Sequence, residues 1–201
     1  MLNRVMNIIL KPTSEWQVIA NEQSSVGSIL GGYAVPLSLI QALTAIAAMG
    51  YFGIGAEIME MSGVSVSLVD VATRTLLSFA LGLVLLYALA FVGSLIAPSF
   101  NGHADLVQSL KLFTYASTPS WVAGIVLPFL MTSVGLIIVV SILSLAAMGY
   151  GIYLIYAGAC PVMGIPQEKL AGFTVVIIAL YIGLALIVYG ITTALQKVAL
   201  F

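Results

Sequence analysis

Charge is the property that this sequence lacks most. Only 6% of its 201 residues are charged, against roughly 25% in soluble domains. Apolar residues make up 62% of the chain, and the mean hydropathy is +1.19. This composition excludes a soluble globular protein and is typical of a protein embedded in a membrane. The six basic and seven acidic residues also nearly cancel, which excludes the basic surface that a nucleic-acid-binding protein needs.

Cysteine and histidine are scarce as well. The single cysteine, Cys160, excludes an internal disulfide, and the single histidine, His103, excludes the usual His/Cys metal clusters. His103 and Asp105 make a poor catalytic dyad, because residues i and i+2 do not share a helix face. The start of a helix explains this pair better. The sequence therefore predicts no catalytic residue, no metal and no cofactor, and an intramembrane enzyme is the least favoured of three possible functions.

Ionisable residues are also missing from the middle of the long apolar runs. Such groups bind or relay ions in pumps and ion-coupled transporters, so their absence from the sequence here argues against an antiporter. A cation could still bind in the loop after the first run, which carries two acids and two methionines: Glu57, Met59, Glu60 and Met61. A solvated loop end with methionines dipping into lipid explains the same pattern and is the more usual case.

Four charge-free intervals determine how often the chain can cross a membrane. They cover residues 23–56, 75–102, 112–167 and 170–196. A helix crosses a bilayer with about 20 residues, so the third interval is long enough for two crossings with a turn between Pro128 and Gly135. We therefore predict an all-α, polytopic membrane bundle with five transmembrane helices. Their expected positions are residues 28–52, 71–97, 106–127, 136–156 and 170–194.

The first residues are predicted to form two short helices at the membrane surface. The first helix carries one apolar stripe, formed by Leu2, Val5, Met6 and Ile9. The second follows Pro12, with Thr13 or Ser14 as its N-cap and Ser14 and Gln17 as a capping box. Trp16 is expected at the level of the lipid headgroups, where tryptophan is enriched.

Basic residues in short loops indicate orientation, since cytoplasmic loops carry more of them. In the five-span arrangement one face has only Arg74 and Lys197. The N-terminal face collects the other four, which are Arg4, Lys11, Lys111 and Lys169. The N-terminus is therefore predicted to be cytoplasmic and the C-terminus periplasmic or extracellular. Residues 1–25 would be a cytoplasmic interfacial segment, and residues 26–201 the transmembrane domain.

Three polar segments are then expected to meet on the cytoplasmic face. They cover residues 11–22, 99–121 and 158–173. In the middle segment Asn101 predicts a turn, Asp105 predicts the start of a helix, and Pro119 predicts a kink in the third span. In the last segment Pro161 and Pro166 are expected to keep the tip non-helical, because proline donates no backbone hydrogen bond and disfavours helix in the residue before it.

Ordered motifs run through these segments. They are Pro12-x3-Trp16-x2-Ile19-x2-Glu22; Tyr33-x2-Pro36-Leu37; Phe100-x-Gly102; Gln108-x2-Lys111-x3-Tyr115-x3-Pro119; and Tyr153-Leu154-x-Tyr156-x-Gly158, followed by Pro161 and Pro166-x2-Lys169. In this order they resemble the Yip family of Ypt/Rab-interacting integral membrane proteins, most closely its short bacterial branch. The resemblance implies five spans and a cytoplasmic N-terminus. For eukaryotic members it implies roles in Golgi and endoplasmic reticulum traffic through small GTPases, and those members have a longer N-terminal tail.

The favoured hypothesis is a non-enzymatic scaffold or adaptor in a bacterial inner membrane, whose cytoplasmic face binds a protein partner or lipids. The candidate binding residues are Pro12, Glu15, Trp16, Glu22, Asp105, Gln108, Lys111, Tyr115, Pro119, Tyr153, Tyr156, Gly158, Pro161, Pro166, Glu168 and Lys169. Gly27 and Gly31 form a close-packing motif that serves the fold or a second copy of the chain.

The alternative is a small transporter or channel for a neutral or amphiphilic solute. Its path would follow Tyr115, Pro119 and the helix of Tyr153, because helices broken by proline can open a cavity. The tyrosines at Tyr150, Tyr153 and Tyr156 would then line that cleft. An aromatic belt at the membrane interface is the more usual explanation for them.

Overall fold

A computed structural model describes residues 1–51, 67–103, 105–131 and 135–198 of the chain. The candidate cation ligands Glu57, Met59, Glu60 and Met61 lie outside these residues. Within them the chain forms eight helices, which confirms the all-α prediction. Their bounds are α1 Leu2–Leu10, α2 Pro12–Asn21, α3 Val26–Gly50, α4 Leu68–Ile96, α5 Leu106–Ala116, α6 Thr118–Val126, α7 Leu136–Met163 and α8 Leu170–Val198. Short 3₁₀ turns lie at Ala97–Phe100, Leu127–Leu130 and Gln167–Lys169.

Four helical segments of the described chain are long and apolar enough to cross a membrane. They are Val26–Gly50, Leu68–Phe100, Leu136–Met163 and Gln167–Ile191. The remaining predicted span, residues 106–127, is instead divided into α5 and α6, which meet at Ser117. Pro119 explains the division, because its ring crowds the preceding turn and it cannot donate a helical hydrogen bond. The kink expected at Pro119 is confirmed.

The divided segment still runs the length of the bundle. At its start the Gln108 side chain reaches the Ala20 carbonyl of α2, with Nε2 at 3.4 Å from the oxygen. At its end the turn Leu127–Leu130 contacts Ile46–Tyr51, at the far end of α3. In between, α5 is enclosed on all sides, because every residue from Ser109 to Ala116 is buried against neighbouring helices. The core of the bundle therefore forms around α5.

A second irregularity lies in α3. Residues Leu30–Ala34 form a π-helical turn, in which the Val35 N–H donates to the carbonyl of Leu30, five residues earlier. Pro36 follows directly and has no N–H to give to the turn before it, so a locally wider helix is one way to accommodate the proline. The wide turn contains Tyr33, which is buried in the bundle.

The end of α7 differs from the prediction of a non-helical tip. Pro161 lies inside α7, which continues to Met163. The helix ends at Gly164, whose φ of 70° is accessible to glycine at little cost, and the Gly164 N–H donates to the Cys160 carbonyl at 2.9 Å. Val162 and Met163, the last two residues of the helix, are buried, so packing outweighs the local effect of the proline. The tip therefore begins six residues later than the prediction placed it.

The start of α2 differs as well. The helix begins at Pro12 itself, a favoured first position because the N–H that proline lacks would be unpaired there. The Ser14 hydroxyl donates back to the Lys11 carbonyl at 3.1 Å, so the predicted N-cap at Thr13 or Ser14 and the Ser14–Gln17 capping box are wrong. The prediction for Trp16 is also wrong, because its side chain is buried by protein and does not face headgroups.

Candidate functional site

The three polar segments predicted to meet do come together at one end of the bundle. This polar end consists of α1, α2, the chain on either side of Asp105, and the turn after α7. The His103 N–H donates to the Met163 carbonyl at 2.8 Å, which joins the two interhelical tips. Asn101 makes the expected turn with a φ of 61°. Asp105 starts α5 as predicted, and its carboxylate accepts from the amides of Val107 and Gln108 at 2.7 and 3.0 Å.

Helix α2 lies directly on α7 through Trp16 and Gly158. A Cβ placed on Gly158 would come within 2.7 Å of the Trp16 ring and of Leu112, so only glycine permits this approach. Trp16 is completely buried, and its indole N–H has no hydrogen-bond partner among the described residues. Two of the predicted site positions, Trp16 and Gly158, are therefore explained by one contact. Tyr156 lies on α7 close to Gly158 but is exposed on the outside.

Lys111 holds the end of α2 from inside the bundle. Its side chain is only 1% exposed, and Nζ donates to the carbonyls of Ile19 and Glu22 at 3.0 and 2.5 Å. The last carbonyls of a helix have no partner within the helix, and a cation there also interacts favourably with the helix dipole. The sequence analysis predicted Lys111 as a residue that binds a partner or lipids, whereas the structure uses its ammonium as an internal cap.

Arg4 attaches α1 to α2 and to α5. Its guanidinium pairs with Glu15 at 2.5 Å and with Glu22, and it lies 5.6 Å from the centre of the Tyr115 ring. Burial acts to lower the pKa of Arg4, but the carboxylates of Glu22 and Glu15 outweigh it, so the pKa of the guanidinium is raised above its usual value. Sequence reasoning missed Arg4 as a site residue. The signal was the spacing of Glu15 and Glu22, which are two helical turns apart on one face of α2.

Tyr33 connects the two irregular helices, and it too was absent from the predicted site. Its hydroxyl lies 2.8 Å from the Thr118 hydroxyl at the start of α6, and its ring meets Tyr115 edge-on at 4.7 Å between centroids. The wide turn of α3 and the break before Pro119 are thus in direct contact. An aromatic residue beside Pro36 in an apolar run was the available signal, because π turns often lie at functional positions.

The remaining predicted site residues differ in how far they are exposed. Tyr153 and Tyr156 are 46% and 43% exposed on the outer face of α7, so they line no cleft with the buried Tyr115 and Pro119. Tyr150 is half-buried, and its hydroxyl donates to the Ile9 carbonyl of α1 at 2.7 Å. The turn before α8 carries Pro166, Glu168 and Lys169; Glu168 is exposed and the other two are half-buried, as are Pro12 and Pro161.

The contacts described at the polar end hold helices α1, α2, α5 and α7 together. No group of three or more His, Cys, Asp or Glu side chains that could hold a metal ion comes together in the described part of the chain.

The model of the Yip1 domain matches residues 6–190. The chain belongs to the Yip1 domain family. Yip1 proteins are generally non-enzymatic trafficking proteins of membranes. No curated protein and no solved structure matches the chain. The Yip1 match extends from α1 into α8 and confirms the resemblance, while the bacterial branch stays a prediction.

Proposed function

We propose that this Yip1-domain protein is a non-enzymatic adaptor of a bacterial inner membrane, and that its polar end binds a protein partner in the cytoplasm. The observation that carries the proposal is the attachment of α1 and α2 to α5 through Arg4 and Lys111. These contacts give the chain one preorganised surface in a sequence that is otherwise almost free of charge. Preorganisation reduces the ordering cost of binding a partner.

Five crossings, with the N-terminus inside, are part of the proposal. The path of α5 and α6 from α2 to the far end of α3 supports a fifth crossing, because together they have the length that a bilayer requires. Four of the six basic residues lie at or near the polar end, which supports a cytoplasmic position for it.

The charges left exposed favour a protein over an anionic lipid surface. Arg4 and Lys111 are engaged inside the polar end, whereas the side chains of Asp105 and Glu168 are exposed there, and Glu22 is exposed beside its partner Arg4. An exposed Lys11 lies at the opposite end of α2 from Glu22, beside Tyr153. Basic side chains of a partner would therefore meet carboxylates, and anionic headgroups would be repelled by the same carboxylates.

Site-specific photocrosslinking in native membranes tests the adaptor role. Photoreactive residues would replace Gln17, Asp105 and Glu168, which are exposed at the polar end, and Ile142 and Leu186 as equally exposed controls on the apolar surface. Lys111 itself is unsuitable because it is buried. We expect one discrete protein adduct from the polar-end positions only. An absence of protein adducts there, or the same adducts from the control positions, would reject the proposal.

A cavity favours a second candidate, the small transporter or channel for a neutral or amphiphilic solute. About 490 Å³ of space lies between α3, α4, α5, α6, α7 and α8. Its walls include Ser117 and Trp121 but not Tyr115, Pro119 or Tyr153, so the route differs from the one predicted. Reconstituted vesicles would test this candidate: flux of a neutral solute that stops when Gly82, on the cavity wall, is replaced by leucine supports it, and no flux across a broad solute panel rejects it.

A further inference from the structure

The cavity between the long helices is elongated. Its volume of about 490 Å³ falls in the range of roughly 300–1,000 Å³ that is usual for small-molecule sites. On α4 its lining runs from Thr75 to Leu89, a distance of about 21 Å at the rise of an α-helix. A slot of this length and volume has room for one extended hydrocarbon chain.

Polar groups on the cavity wall are left without partners. The carboxamide of Gln41 and the hydroxyls of Thr75 and Ser78 make no hydrogen bond to any residue that the structure describes. In contrast, the Ser38 and Ser117 hydroxyls on the same wall donate to carbonyls of their own helices at 2.5 and 2.8 Å. Unpaired polar groups are costly within a bilayer, so the free ones favour a ligand with hydrogen-bonding groups.

The polar and apolar parts of the wall lie at different levels. Thr75 and Ser78 are near the start of α4, whereas Leu86 and Leu89 are two to four turns further along, beside Phe113. Gln41 of α3 lies against Gly124 of α6, and a Cβ placed on Gly124 would collide with the carboxamide of Gln41. The cavity thus offers hydrogen bonds at one end and a hydrocarbon-lined slot at the other. No charged residue lines it, so a headgroup with a net charge would find no partner.

One side of the cavity is open to the surface. Met148, Tyr181 and Ile182 belong to its wall and are 48%, 44% and 53% exposed. They lie on α7 and α8, within two helices of the length and composition of membrane spans. In a membrane this side faces lipid, and a ligand can enter sideways from the bilayer.

We propose that the cavity binds a single-chain lipid with an uncharged, hydroxyl-bearing headgroup, the class to which monoacylglycerols belong. The acyl chain lies along Leu86, Leu89 and Phe113, and the hydroxyls of the headgroup bond to Gln41 and the Thr75 end. This site is independent of the adaptor role of the polar end. It rests on the same cavity as the second candidate function, the transporter or channel, and names its ligand. Lipid binding without flux would support the binding site and reject transport.

Photolabelling of the full-length protein in lipid nanodiscs tests the proposal. The probe is a monoacylglycerol with a diazirine in its chain, and the comparison probe is the alkyl sulfate with the same chain. We expect saturable labelling of wall residues such as Phe79 and Met148 by the monoacylglycerol, competed by unlabelled monoacylglycerol, and little specific labelling by the sulfate. Non-saturable labelling, or labelling spread evenly over exposed positions such as Ile142 and Leu186, overturns the proposal.

Three substitutions sharpen the test. A Cβ on Gly82 meets open space, so Gly82→Leu can fill the cavity without disturbing a neighbour; Gly190→Leu places the same side chain at another open glycine outside the wall. Specific labelling should fall roughly tenfold in Gly82→Leu, as a loss of this size corresponds to one good contact, and stay unchanged in Gly190→Leu. Gln41→Leu should reduce the preference for the hydroxyl headgroup. Equal labelling of both glycine variants refutes the site. If Gly82→Leu does not fold, competition by unlabelled monoacylglycerol on the unaltered protein is the test, and a failure to compete refutes the site.

Discussion

The two ends of this bundle are built in different ways. At the polar end α5 is enclosed and α2 is fastened to it by buried groups such as Lys111 and Trp16. In the other half, α7 before Met148 and α8 between Ile178 and Ile191 expose most of their side chains, including Ile142 and Leu186. Lipid is as apolar as leucine, so helices there gain little by burying aliphatic side chains against one another. Directional contacts and close packing must therefore position the chain at the polar end, whereas lipid surrounds the other half.

This contrast predicts that similar substitutions have unequal effects in the two regions. At the polar end the loss of a few atoms should lower the free energy of unfolding, because the contacts there are dense and Glu15 and Lys111 are buried. The opposite half should tolerate changes in apolar side chains, since most of them face lipid. Each prediction below pairs a change at a buried position with a matched change at a more exposed one.

The largest effect is expected from Trp16→Ala. Removing a fully buried tryptophan should lower the free energy of unfolding by about 3–5 kcal/mol and release α2 from α7. Phe91→Ala removes an aromatic ring that is half exposed on α4 and should cost much less. Thermal unfolding in nanodiscs, with protease sensitivity of the N-terminal residues as the readout for α2, measures both. Equal losses in the two variants would show that the polar end is no better packed than the outer surface.

Lys111→Met comes next. Methionine keeps the length of the side chain but leaves the Ile19 and Glu22 carbonyls unpaired, so we expect a loss of about 2 kcal/mol in the free energy of unfolding. Lys169→Met, on the half-exposed turn before α8, should change stability by no more than about 0.5 kcal/mol. Amide hydrogen exchange should rise in the last turn of α2 only in the Lys111 variant. Unchanged exchange there would mean that the ammonium does not hold the helix end.

A pair of glycines on α7 sharpens the comparison within one helix. Alanine raises helix propensity by about 1 kcal/mol at either position, but a Cβ at Gly158 overlaps Trp16 and Leu112 while one at Gly149 meets open space. Gly149→Ala should therefore be neutral or stabilising. Gly158→Ala should be destabilising, with a difference of about 2 kcal/mol between the two variants in nanodisc unfolding. A difference near zero would show that α2 can shift away from α7 at no cost.

The parts of the fold that the sequence predicted depend on local patterns. Long uncharged runs predicted the four long helices, Asp105 predicted the start of α5, and Pro119 predicted the break after it. Each of these features arises from residues close together in the chain, such as the carboxylate of Asp105 and the amides two and three residues later. The family, too, was identified from ordered local motifs, and the Yip1 match confirms it.

The parts that the sequence did not predict depend on distant contacts. Lys111 was predicted to bind a partner or lipids at the cytoplasmic face, but its ammonium bonds inside the bundle to a carbonyl 92 residues earlier. Trp16 matches the usual pattern of an interfacial tryptophan, and Gly158 of another helix buries it. Pro161 disfavours helix locally, yet the packing of its neighbours extends α7 past it. The free groups around the cavity come from two helices, α3 and α4, so no short sequence window contains them together.

The smallest expected effect separates the two acids that share Arg4. The side chain of Glu15 is 9% exposed and that of Glu22 is 40% exposed, so solvent screens the Glu22 pair more strongly. Glu15→Gln should lower the free energy of unfolding by about 1 kcal/mol because the remaining amide lies buried beside a guanidinium, whereas Glu22→Gln should cost about half as much. Raising the salt concentration in nanodisc unfolding should reduce the effect of Glu22→Gln and leave that of Glu15→Gln nearly constant, since buried pairs are screened less. The reverse salt dependence would place the principal attachment of α1 at the exposed end of α2.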